Sequence, residues 1–127
     1  MGLDINTIEI LEHELAKNTE ILEITASKFN IKILNIAYNA DCQNGTIDAY
    51  IEFMTLDGNA IRKAKNSIGL EFKINFYKES KLLYSALYYF DDDYIDNFSG
   101  YDTIRISSYY TNLIEQATSA RIFVVAA

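Results

Sequence analysis

Residues 70–76 read LEFKINF, and their apolar and polar side chains alternate without a break. Such a two-residue period predicts a β-strand with one buried face, because successive side chains of a strand point to opposite sides. Residues 47–53 repeat the alternation around Ile47, Ala49, Ile51 and Phe53, and residues 103–108 alternate again. The middle of the chain is therefore predicted to be built from strands.

Three further stretches predict strands of other kinds. Residues 31–38 resemble a strand whose phase shifts at Ile33-Leu34, which indicates a β-bulge. Residues 82–90 are apolar on both faces, which predicts a central strand covered on both sides. Residues 121–125 form a short, nearly continuous apolar run, which predicts a buried strand.

Polar connectors separate these strands. Asn44-Gly45 predicts a turn between strands near 31–41 and 46–56, and Asp57-Gly58 is a strong hairpin signal because glycine accepts a positive φ. Residues 78–81 predict a short polar turn, and residues 97–100 close a longer loop. Residues 112–118 predict one or two helical turns, with Asn112 near the N-cap.

The first 29 residues follow a different pattern. Their apolar side chains recur at helical spacing, which predicts an amphipathic helix. Asn6 followed by Glu9 is a candidate capping box. The alternative is a hairpin of residues 7–16 and 20–26 that turns at residues 17–19. The helical stripe consists of Ile8, Leu11, Leu15, Leu22, Ala26 and Phe29.

The sequence therefore predicts a single, mainly β domain of 127 residues. Residues 1–29 are the helical segment, and residues 30–127 form an antiparallel β-sandwich of about six or seven strands. The alternative fold is all-β, with an N-terminal hairpin in place of the helix.

The charge excludes several classes of function. A formal net charge of −7 disfavours binding to the phosphate backbone of nucleic acids and to anionic membrane surfaces.

No apolar run reaches the length of about 18 residues that a transmembrane helix needs. The N-terminus lacks the basic and apolar regions of a signal peptide, so we expect a cytoplasmic protein. Cys42 is the single cysteine, and an internal disulfide needs two.

Few residues suggest catalysis. His13 lies between Glu12 and Glu14 on the polar side of the stripe, and no second histidine exists to share a metal with it. Cys42 follows Asp41, so no positive charge stabilises its thiolate. We interpret both as surface residues. We predict no catalytic residue, no cofactor and no enzymatic activity.

The most distinctive polar segment is DDDYID, residues 91–96. Its carboxylates are hard oxygen ligands of the kind Ca²⁺ prefers, although the spacing is not that of an EF-hand. The interpretations are a solvated acidic loop, a weak cation site at Asp91, Asp93 and Asp96, or a contact with a basic partner. The candidate partner-binding residues are Asp91, Asp92, Asp93, Tyr94, Asp96 and Tyr101.

Two other groups could contribute to an interface. Arg62, Lys63 and Lys65 form a small basic cluster. Tyrosines crowd the C-terminal half, and tyrosine is enriched at interfaces because its ring is apolar and its hydroxyl forms hydrogen bonds. The tyrosines of the C-terminal half predict either an exposed aromatic face or a core with tyrosine hydroxyls at its rim. They are Tyr84, Tyr88, Tyr89, Tyr94, Tyr101, Tyr109 and Tyr110.

Residues 70–85, LEFKINFYKESKLLYS, resemble the central hairpin of FxLYD-type domains. The similarity lies in the alternating strand that ends in Phe76-Tyr77, the polar turn, and the re-entry at residues 81–83. It extends over about residues 30–125. Lys78 stands where the family usually has Asp, and Ser80 where it usually has Gly. The resemblance implies a small Ig-like sandwich of the kind found in bacterial proteins of uncharacterised function, with no active site.

The sequence thus leaves three functional hypotheses. The first is a non-catalytic protein-interaction module that binds another protein, or itself, through edge strands or an aromatic face. The second is a small acidic immunity or inhibitor protein, in which residues 91–96 neutralise a basic toxin or enzyme. The third is a domain that binds Ca²⁺ or a small ligand.

Overall fold

A computed structural model describes residues 3–28, 31–55, 70–89 and 101–126. These residues form seven strands and three short helices. The helices are α1 (Ile5–Lys17), α2 (Glu23–Ser27) and α3 (Leu113–Gln116). The strands are β1 (Thr19–Ile21), β2 (Ile31–Ala40), β3 (Ile47–Thr55), β4 (Leu70–Lys78), β5 (Lys81–Tyr89), β6 (Tyr101–Ser107) and β7 (Ser119–Ala126).

The strands form two sheets, so the fold is mainly β, as predicted. One sheet has the order β1-β7-β4-β5, and the other has the order β2-β3-β6. All neighbouring strands are antiparallel except β1 and β7, which run parallel. The antiparallel pairing predicted for residues 30–127 is confirmed for the described strands β2 to β7. The parallel strand β1 lies in the segment that was predicted to be helical. The chain reaches β1 directly after α1 and lies along β7, and the Leu22 N–H donates to the carbonyl of Ile122 at 2.9 Å.

Local signals locate most strands and turns correctly. The predicted bulge in β2 is confirmed, because the pairing with β3 shifts between Ile33 and Asn35. Gly45 adopts φ +66° in the turn between β2 and β3, which is the left-handed region that glycine enters at little cost. Asn112 lies before α3 as predicted, with φ +62° and no side-chain capping bond.

The N-terminal helix is shorter than the apolar stripe predicts. It ends at Lys17, and residues 19–21 extend as β1 before α2 begins. Pairing with β7 takes precedence over the helical period there, and the β-branched Thr19 and Ile21 favour a strand. The helix also begins earlier than predicted. Asp4, not Asn6, is the N-cap, and its Oδ1 accepts from the Thr7 N–H at 2.9 Å.

The buried faces of the two sheets meet in one core. Phe53 of β3 and Phe72 of β4 pack edge to face, with ring centroids 4.9 Å apart and an interplanar angle of 65°. Tyr38 of β2 and Phe76 of β4 form a second contact at 6.0 Å. The α1 side chains Ile8 and Leu15 are buried in the same core.

Several predicted features lie outside the described residues. They are the Asp57-Gly58 turn, the loop at 97–100, the basic cluster at residues 62–65 and the acidic segment at residues 91–96. Within the ranges that the structure does describe, no helix has the length and hydropathy that a bilayer span requires.

Candidate functional site

The edges of the two sheets differ in how well they are protected. An edge strand presents N–H and C=O groups that can pair with another chain, and natural proteins block such edges with short strands, charges or covering elements. β1 spans three residues, so its edge is short. β6 carries Asp102 and Arg105, which place charge along its edge.

The edge of β2 is occupied by α1. Glu12 Oε2 on α1 accepts a hydrogen bond from the backbone N–H of Ala40 at 2.6 Å, so this edge donor has a partner. A groove of about 220 Å³ between α1 and β2 is lined by residues that include His13 and Ile36. The helix therefore occupies the side of β2 on which a further strand would pair.

Among the described residues, β5 lacks these protections from Leu82 to Tyr89. It is nine residues long and pairs there with β4 alone. Lys81 is its first residue, and the following eight residues carry no charge. Leu82, Leu87 and Tyr89 are 51%, 53% and 49% exposed. A long, uncharged edge with exposed apolar side chains is a site for strand pairing.

The position of β5 corrects the prediction that residues 82–90 form a central, doubly covered strand. Ala86 faces the core and is buried, whereas Leu87 points away from the core and is half exposed. Apolar side chains on both faces are typical of a buried strand, but here one of those faces lies against solvent. Leu83 is an extra residue at the start of the strand, because Leu82 pairs with Tyr77 and Tyr84 pairs with Phe76.

A polar network crosses the outer face of the four-stranded sheet from β5 to β1. Ser85 Oγ donates to Asn75 Oδ1 at 2.6 Å, and Asn75 Nδ2 donates to Tyr77 Oη at 3.2 Å. The Arg121 guanidinium lies 5.6 Å from the centre of the Tyr77 ring. Arg121 Nε also forms an ion pair with Glu20 Oε1 at 3.0 Å. These contacts link all four strands behind the β5 edge and order their outward side chains.

Only some of the tyrosines that could form the predicted aromatic face are exposed. Tyr89 and Tyr109 are 49% and 81% exposed. Tyr84 and Tyr110 are half-buried instead, and their rings contact each other with centroids 5.9 Å apart. Tyr88 is also half-buried against the core. The tyrosines whose side chains the structure describes therefore divide between the rim of the core and the surface.

The remaining candidate residues take three positions. His13 and Cys42 are exposed, as predicted. Tyr101 begins β6 and pairs with Met54 of β3. Asp91, Asp92, Asp93, Tyr94 and Asp96 lie outside the described residues, so the predicted cation site and partner contact there stay predictions. The residues that the structure describes contain no group of three or more side chains suited to hold a metal ion.

The sequence interpretation did not single out Leu82 and Leu87. A strand that is apolar on both faces has the same local pattern whether it lies at the centre or at the edge of a sheet. The exposed leucines follow from the strand order, which depends on pairing with distant residues. The one local hint was the absence of charge from Leu82 to Tyr89.

Comparison with known proteins adds no assignment. No protein-family model matches the chain, and no curated protein or solved structure shows significant similarity to it.

Proposed function

We propose that this protein is a non-catalytic protein-interaction module that binds its partner by strand addition along β5. The observation that carries the proposal is the exposed edge itself, which is uncharged from Leu82 to Tyr89 and bears three half-exposed apolar side chains. In strand addition, the main-chain hydrogen bonds supply affinity, and the alternating side chains supply specificity.

The surface beside the edge supports the same proposal. The outer face of the sheet combines the half-exposed Tyr89 with Tyr77 and Arg121. Aromatic residues and arginine are enriched at protein interfaces. A strand that pairs with β5 would extend this face by one row of side chains, so contacts with the face and contacts with the edge would act together.

We also propose that the fold is Ig-like, as the resemblance to FxLYD-type domains implies. Immunoglobulin-type sandwiches place strands A, B and E in one sheet and strands G, F and C in the other, and variable-type domains add C′ beside C. The order β2-β3-β6 corresponds to A-B-E, and β7-β4-β5 corresponds to F-C-C′. β1 lies beside β7, where G would lie, but it runs parallel to β7.

The test is affinity capture from native host lysate at low and at high salt, with three baits. The baits are the natural chain, Leu87→Lys on β5, and the control Leu34→Lys on β2. Leu87 and Leu34 are both exposed leucines on strands, at 53% and 42%. We expect the natural chain and Leu34→Lys to retain a stoichiometric partner at both salt concentrations, and Leu87→Lys to lose it. Equal capture by all three baits would place the interface elsewhere.

The acidic-inhibitor hypothesis and the Ca²⁺ part of the third hypothesis both depend on residues 91–96. A partner that high salt removes would favour the acidic inhibitor, because contacts between exposed charges are screened. A melting temperature that rises with Ca²⁺ and returns with EDTA would favour the cation site. A partner that high salt removes would weaken the case for β5.

A further inference from the structure

We propose that the strand that pairs with β5 is β5 of a second copy of this chain, in antiparallel orientation about a two-fold axis at Ala86. The inference rests on the proposed function, because it names the partner of the same edge. Such pairing would join two four-stranded sheets into one continuous sheet.

The occupant of this edge must be uncharged on the face that it turns toward the core. Its outward side chains would lie beside Ser85, Leu87 and Tyr89, and its inward side chains beside Tyr84 and Ala86. A charged side chain in the inward row would lose its water beside the half-buried Tyr84 and the buried Ala86, which is costly without a partner. The segment from Tyr84 to Tyr89 itself satisfies this requirement, because it contains no charge and one hydroxyl-bearing serine among leucine, alanine and tyrosine.

The two-fold axis at Ala86 gives favourable neighbours. Residues opposite each other in an antiparallel pair share a face, so Tyr84 would lie opposite Tyr88 of the second copy on the inner side. Ser85 would lie opposite Leu87 of the second copy on the outer side, which sets a small side chain beside a large one. Aromatic cross-strand pairs stabilise sheets. The bulged residue Leu83 would stay at the end of the paired segment.

The charge around the edge permits this contact in an acidic protein. Residues 71–89 carry three lysines and two glutamates, a net charge of +1, whereas the whole chain carries −7. Lys73 lies opposite Leu87 on the neighbouring strand β4. The two copies of Lys73 would therefore be separated by three strand spacings, about 14 Å, which exceeds the Debye length of about 8 Å at physiological salt. The association is expected to change little with ionic strength.

Disulfide crosslinking tests the pairing and its register. Ser85→Cys and Leu87→Cys are each placed in a Cys42→Ser background, and the proteins are oxidised separately and as a mixture. Directly opposed residues have Cα atoms about 4.5–5.5 Å apart, which suits a disulfide. Diagonal residues lie beyond the bridging limit of about 7 Å. We expect the mixture to form covalent heterodimers and each variant alone to stay uncrosslinked. A Thr103→Cys variant on β6 serves as the matched edge-strand control and should not crosslink with either.

Sedimentation equilibrium of cysteine-free variants supplies a second measurement. Burial of two leucine side chains per dimer leads us to expect that Leu87→Lys raises the dimer dissociation constant by about tenfold or more. The control Leu34→Lys should leave it unchanged. A natural chain that stays monomeric at every concentration, or a mixture that does not crosslink, would overturn the inference. If the chain did not self-associate but Leu87→Lys abolished capture of a different protein, the proposed function would stand and the self-pairing of β5 would not.

Discussion

Tyr38 combines deep burial with a titratable hydroxyl. Its Oη lies 2.8 Å from Thr19 Oγ1, and the Thr19 hydroxyl donates to the carbonyl of Leu15 at 2.7 Å. Because a threonine hydroxyl has one hydrogen, Tyr38 is the donor of the pair. Burial raises the pKa of Tyr38 to about 12. This phenol therefore links β2 to the start of β1 and stays protonated in the folded protein.

The stability of the protein should fall at alkaline pH for this reason. The unfolded phenol ionises near pH 10, whereas the folded one resists ionisation up to about pH 12. The contribution is therefore fully present below pH 10 and is lost as pH rises to 12, by about 2–3 kcal/mol. Tyr38→Phe should cost about 1 kcal/mol at neutral pH and make the alkaline decline shallower.

Urea denaturation at pH 7 to 12 checks this prediction. The control is Tyr109→Phe, because that ring is 81% exposed. Tyr109→Phe should follow the natural chain at every pH. An identical alkaline decline in Tyr38→Phe and the natural chain would show that Tyr38 does not cause it.

At the scale of elements, β1 and α2 together cover the outer edge of β7. β1 pairs with residues 120–122 of β7, and α2 continues along the next part of the strand. Thr25 Oγ1 on α2 accepts from the backbone N–H of Val124 at 3.0 Å and donates to the carbonyl of Leu22 at 2.7 Å. One side chain therefore satisfies an edge donor of β7 that β1 does not reach.

Thr25→Val should destabilise the fold, because it removes the hydroxyl that accepts the hydrogen bond from the Val124 N–H. Valine keeps the shape of threonine but leaves the Val124 N–H without its partner, which costs about 1–3 kcal/mol. The control is Ser27→Ala, because the Ser27 hydroxyl donates within α2 itself, to the carbonyl of Ile24 at 3.1 Å. Its effect should stay within about 0.5 kcal/mol. Urea denaturation gives both values, and hydrogen exchange should show faster exchange at Val124. Equal stability of the two variants would mean that water replaces the hydroxyl.

The sequence predicts the elements whose causes are local. Period-two alternation locates β3, β4 and β6, and the Asn44-Gly45 signal locates a turn whose geometry requires glycine. A Cβ on Gly45 would approach the Cα of Asn112 to 2.9 Å, at a φ of +66°. The dipeptide alone indicates the turn. The contact with Asn112 becomes visible only in the folded chain.

The features that the sequence did not predict depend on distant pairing. Nothing within Thr19–Ile21 specifies a parallel partner in β7, about 100 residues later in the chain. The apolar run of β5 reads as a buried strand because local patterns do not encode strand order. The β5 edge was therefore identified from the strand order of the folded chain. The acidic segment at residues 91–96, which the sequence favoured as a site, lies outside the described residues.

At the scale of the whole molecule, aromatic contacts join the two sheets. Phe53 and Phe72 belong to different sheets, are both buried, and pack edge to face at 4.9 Å. Such ring pairs contribute about 0.5–1.5 kcal/mol beyond the area that they bury. Because no disulfide can link the sheets, packing between them must hold the domain together as one cooperative unit.

A double-mutant cycle measures this coupling. Phe53→Leu and Phe72→Leu are made singly and together, and the free energy of unfolding is measured in urea. The double variant should be less destabilised than the sum of the single variants by about 0.5–1.5 kcal/mol, because the ring pair can be lost only once.

The control cycle combines Phe53→Leu with Phe76→Leu. Phe76 lies four residues from Phe72 along β4, about 13 Å away, and its ring contacts Tyr38 instead. The control should be additive within about 0.5 kcal/mol. Additivity in both cycles would show that burial alone, without the edge-to-face geometry, holds the two sheets together.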